Sequence, residues 1–213
     1  MISEPVTMIT DYALGAVSAV LGWRLYRHAS GERSRRWWAL AFGAVAVSAL
    51  IGGTHHGFAS IMSAATYALS WKVTVLAIGV FSFGLMAGSF FAATRGTARA
   101  ALLAIAAVQL VVYSAWMLVH DEFRYVVLDT ALAMAALLLL HGWSAITRRD
   151  KASYWVLAGI GASAVAAAVQ FYGVSLHEHL NHNDLYHLIQ LAGMVLFFRG
   201  GKLLHDRTSP DRA

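Results

Sequence analysis

The run SWKVTVLAIGVFSFGLMAGSFFAAT, residues 70–94, carries one charge, Lys72, near its start and is followed directly by Arg95. A helix crossing a bilayer needs about 20 mostly apolar residues, and this run supplies them. Working outward, six further runs have the same character: 9–27, 37–58, 99–120, 124–146, 153–176 and 184–204. The chain of 213 residues is 59% hydrophobic and 13% charged, with a mean hydropathy of +0.60. Its charges are missing from long runs rather than scattered, which a water-soluble domain could not accommodate. The expectation is an all-α integral membrane protein with seven transmembrane helices. Residues 1–204 would form one seven-helix domain, and 205–213 a polar, disordered cytoplasmic tail. Residues 1–10 hold no basic segment of the kind that opens a cleaved leader, so the first span is expected to act as its own insertion signal.

Orientation follows from the basic residues. Arg24, Arg27, Arg33, Arg35 and Arg36 surround the first connection, Arg95 and Arg99 the third, and Arg148, Arg149 and Lys151 the fifth. Arg199, Lys202, Arg207 and Arg212 follow the last span, leaving only Lys72 and Arg124 on the other side. Lysine and arginine concentrate on the cytoplasmic side, so the N-terminus is expected outside and the C-terminus in the cytoplasm. The net charge of +5 is then a topology signal, and nucleic acid is not an expected partner. There is no cysteine, which excludes disulfides and thiolate chemistry. No phosphate-binding glycine loop appears, and the last span has no central lysine that could carry a retinal.

This topology gathers polar side chains at the outer face. Asp11 opens the first span, His55 and His56 close the second, and Asp129 lies about a turn into the fifth. The stretch His177, Glu178, His179, His182, Asn183, Asp184 and His187 precedes or opens the seventh. Asn183, Asp184 and His187 share one helical face, with Gln190 next along it. Carboxylate and imidazole at this spacing can share a metal, or the carboxylate can orient the ring. Asn183 and Asp184 also suit helix capping and the first turn. An ionisable side chain such as His187 inside a span calls for a partner in the bundle. His55 and His56 point about 100° apart, so at most one faces the interior, with a slight preference for His56. Asp11 and Asp129 are lone carboxylates that each need a proton, a cation or donors.

The stretch from Asn181 to Gly193, NHNDLYHLIQLAG, resembles the final-helix motif of the hemolysin III and progestin/adiponectin-receptor family. That family is grouped with the alkaline ceramidases as the CREST superfamily of seven-span membrane hydrolases. The resemblance implies a zinc ion held by imidazoles, which activates water to cleave a lipid-like amide or ester. His187, one of His55 and His56, and His182 or Asp184 would be the metal ligands, with Asp129 or Asp11 as general base or orienting group. Three departures stand against it. Asn183 occupies the place of the first histidine, Ile51 or Gly52 that of a second-span serine, and residues 70–94 lack the third-span aspartate. The pattern Asn-His-Asn-Asp-x-x-His-x-x-Gln also resembles a bacterial family, which implies an inner (cytoplasmic) membrane. The competing expectation is a non-catalytic, ligand-binding or receptor-like membrane protein, or a subunit of a membrane complex. Haem ligation and proton-coupled transport are weaker alternatives, since the inner side offers only His141 and no proline interrupts a span.

Overall fold

The computed structural model describes residues 2–177 and 180–207. Among them the chain is helical throughout, with no strand: α1 (Pro5–Arg27), α2 (Arg33–Phe58), α3 (Ala64–Ala93), α4 (Gly96–Val119), α5 (Phe123–Arg148), α6 (Lys151–Tyr172) and α7 (His182–Leu203). A single 3₁₀ turn, Ala59–Ile61, follows α2. Local chemistry sets the ends. Pro5 starts α1, where its missing N–H costs nothing. The Ser63 hydroxyl caps α3 by accepting from the Thr66 N–H, and the Asp150 carboxylate caps α6 by accepting from the Ala152 N–H. Gly173 ends α6 at φ +63°, a left-handed conformation that glycine adopts without strain.

Helices α1 to α6 are long and apolar enough to cross a membrane. α7 is as long as α6, at 22 residues, but carries more polar side chains. Neighbours in the chain pack in sequence from α1 to α3, α3 then packs on both α4 and α5, and α5, α6 and α7 follow in turn. α7 returns to α1 and closes a ring. α4 lies against α3 outside this ring, and only Ala106, Tyr113 and Met117 of it are buried. Its exposed Ile105, Val108, Val111, Val112 and Val119 form a continuous apolar exterior.

Trp38 anchors the core at the end of the bundle opposite the polar cluster. It is fully buried, its ring meets Phe197 edge-on at 5.9 Å between centroids, and it fills the space left by Gly88 on α3 and Gly201 on α7. Near it, the buried His141 links three helices: Nε2 lies 3.0 Å from the Ser89 hydroxyl on α3 and Nδ1 lies 3.0 Å from the Ser153 hydroxyl on α6. The Ser153 proton goes to Asp150, so Nδ1 of His141 is the donor and Ser89 donates to Nε2.

The tail differs from its expected disorder in its first residues. The Asp206 carboxylate accepts from the backbone N–H groups of Arg33 and Ser34 at 2.9 and 2.8 Å, and the Arg207 N–H donates to Phe91 O. Residues 208–213 lie outside the described residues.

Candidate functional site

The site lies between α1 and α7, where they start, with the end of α2 beside them. α7 opens on a reciprocal cap: the Asn181 side chain accepts from the Asn183 and Asp184 N–H groups, and the Asn181 N–H donates to Asp184 Oδ2 at 2.8 Å. Asn181, not Asn183, is therefore the capping residue; Asn183 instead accepts from the Gln170 amide of α6 at 2.9 Å. The cap leaves Asp184 Oδ1 pointing at α1, where the Thr7 hydroxyl donates to it at 2.8 Å. One turn deeper, His187 Nδ1 meets the Thr10 hydroxyl at 3.1 Å and Nε2 meets Asp11 Oδ1 at 3.2 Å. Asp11, Asp184 and His187 are all buried, at 5%, 1% and 9% exposure, so each depends on these partners.

The hydrogen bonds fix the proton count. Thr10 donates its hydroxyl proton to Thr7 O, so its oxygen accepts from His187 and Nδ1 carries a hydrogen. The contact between Nε2 and Asp11 then holds together only if at least one proton lies between them, on either partner. With no proton, a carboxylate faces a lone pair and the two repel; with a second proton, Nε2–H can still donate to the carbonyl oxygen of the neutral acid. The Asp11–His187 contact is thus lost when its proton is removed.

Gly53 makes the approach of α2 to α1 possible: a Cβ there would stand 2.9 Å from Asp11 Cβ and 2.9 Å from the Tyr12 ring. His56, on the last turn of α2, is part-exposed and pairs with Glu4 at 3.3 Å. Glu4 and Asp184 are near enough to Asp11, and His56 to His187, for direct charge interaction. Three carboxylates and two imidazoles therefore gather at this end.

The other expected site residues lie elsewhere. Of the histidine pair it is His55, not the slightly preferred His56, that is buried, and it faces α3: Nδ1 lies 2.8 Å from the Ser70 hydroxyl and its ring packs 4.0 Å from that of Tyr67. Asp129 belongs to the α3–α4–α5 side, where Gln109 Nε2 donates to its Oδ1 at 2.9 Å. It does not join Asp11. His182 is half-buried in the first turn of α7. Glu178 and His179 lie outside the described residues. Sequence reasoning missed Thr7, Thr10 and Asn181. The first two share a helical face with Asp11 at i, i+3 and i+4, a polar stripe on an otherwise apolar span.

The zinc implied by the sequence resemblance does not fit these donors as they stand. Both ring nitrogens of His187 and both oxygens of Asp184 are engaged, and His55 is turned to α3. Among the described residues no three His, Asp or Glu side chains come together as ligands.

Among the described residues, fold and site define an all-helical bundle with six helices long and apolar enough to cross a membrane and a buried carboxylate–imidazole network at one end. The chain belongs to DUF6962, a family of unknown function, which it matches over residues 6–206. No curated protein and no solved structure matches it.

Proposed function

We propose that the protein is a non-catalytic membrane protein, receptor-like or a subunit of a larger complex, whose responsive element is the proton-dependent contact between Asp11 and His187. The observation that carries this reading is closure. Every polar atom of His187 and Asp184 already has a partner within the network, so none is left aimed at a reacting group. Loss of the proton would break the Asp11–His187 part of the α1–α7 contact, which is how a buried histidine acts as a switch.

The reading includes seven spans with the N-terminus outside. α7 runs parallel to α1 along its length, from Thr7–Asp184 at one end to Leu25–Gly201 at the other, so a bilayer crossed by α1 would be crossed by α7. On the alternation of basic residues, the network would lie on the outer side. A reporter fused to the C-terminus should read as cytoplasmic; an external reading contradicts the orientation.

A second reading, a zinc-dependent hydrolase of a lipid-like amide or ester, is favoured by the gathering of Glu4, Asp11, His56, Asp184 and His187 at one end. Metal content separates the two. Protein purified in detergent without a histidine tag should hold no zinc above background, fresh or after incubation with zinc, and His187→Ala should match it. About one zinc per chain, lost in the variant, would overturn the binding reading in favour of the hydrolase.

A further inference from the structure

At the opposite end of the bundle a groove of roughly 480 Å³ opens between α1, α6 and α7. Its walls are apolar, including Leu21, Val195 and Phe198, and its rim carries Arg24, Arg199 and Lys202. The Arg199 guanidinium lies 4.7 Å above the Trp155 ring, and Lys202 Nζ lies 5.5 Å above the ring of Phe198 on its own helix. These contacts hold the two cations at the groove. At the other end of the bundle two cations are paired with acids, Lys72 with Asp121 and Arg124 with Glu122. Among the described residues no carboxylate lies within ion-pair distance of Arg24, Arg199 or Lys202. Three like charges around an apolar slot repel one another until an anion sits between them.

We infer that this groove binds an anionic phospholipid, with the headgroup phosphate held by Arg24, Arg199 and Lys202 and an acyl chain along the apolar walls. Charge complementarity calls for an anion. The apolar walls call for one with a hydrocarbon chain, and basic pockets between membrane helices bind such headgroups. The inference rests on the membrane reading of α1, α6 and α7 and is independent of the Asp11–His187 contact.

The test is native mass spectrometry of the full chain in detergent. It is titrated with phosphatidylglycerol or phosphatidylcholine, with and without inorganic phosphate as competitor. Wild type should retain phosphatidylglycerol at least about fivefold more tightly than phosphatidylcholine, the factor that a single basic group near an anionic headgroup supplies. R199Q/K202Q should lose that preference, while R27Q/K151Q, which removes two charges outside the groove, should keep it. All four positions are exposed, so the variants should melt with wild type. Equal retention of the two lipids by wild type, or equal loss in both double variants, would overturn the inference. Full displacement by inorganic phosphate would assign the rim to a free anion and overturn the lipid as occupant. A protein that stays in solution without detergent would instead remove the membrane premise itself.

Discussion

Gly53 lets α2 lie close against α1 beside Asp11, the partner of His187. The atoms a Cβ would meet there are Asp11 Cβ, next to the backbone, and the Tyr12 ring, so the helix rather than a flexible side chain must move. Gly53→Ala is expected to destabilise the protein by about 1–3 kcal/mol, the usual cost of overpacking. Gly43→Ala, on the same helix, meets nothing within 4 Å and is expected to stabilise by up to about 1 kcal/mol through helix propensity. Thermal unfolding in detergent checks both; equal effects would remove the special role of Gly53. At this scale the sequence was partly legible. Asp11, Asp184 and His187 stand out as ionisable groups in apolar runs, and their need for partners follows from burial cost alone. Their pairing does not, because hydropathy says nothing about which helix meets which. Thr7 and Thr10 were passed over for a related reason: a hydroxyl in a span satisfies itself on its own helix, and nothing local marks it as a partner for a residue 177 positions away.

At the level of the element, the start of α2 shows a helix finished from a distance. Its capping residue, Glu32, makes no side-chain cap, and the orphan N–H groups of Arg33 and Ser34 are met by Asp206. Burial works to raise the Asp206 carboxyl, but these backbone donors, the Ser34 hydroxyl and nearby Arg99 prevail and hold it below its ordinary 3.8. A depressed carboxyl stabilises the fold in full above its unfolded value and loses that contribution as pH falls through its folded one. Asp206→Ala should therefore cost about 1 kcal/mol at neutral pH. The difference from wild type should shrink only in acid below the ordinary carboxylate range. Melting temperatures across pH check this, and a difference that persists unchanged in strong acid contradicts it. The tail reads as disordered because its complement lies 172 residues away, beyond any local pattern. Helix starts were read late for a simpler reason. α2 begins at Arg33 and α3 at Ala64, before their apolar runs at 37 and 70, because first turns are built from polar or small residues that add little hydropathy.

Across the whole molecule, the polar devices sit at the two ends of the ring and its apolar body lies between. His141 ties α3, α5 and α6 near one end, and the threonine–carboxylate–imidazole network ties α7 to α1 near the other. The helical class and the number of helices were visible in the spacing of apolar runs. The ring order was not, nor was the separation of Asp129 from Asp11, which places the two carboxylates on different sides of the bundle. Closure of the ring through Asp11 and His187 is the claim on which the proposed function depends. A double-mutant cycle with Asp11→Asn and His187→Gln, read by unfolding in detergent, tests it most directly. Residues that share a buried proton should couple by about 1–3 kcal/mol, the double variant losing far less than the sum of the singles. Simple additivity would mean that the two side chains do not act as a pair, and would contradict the account.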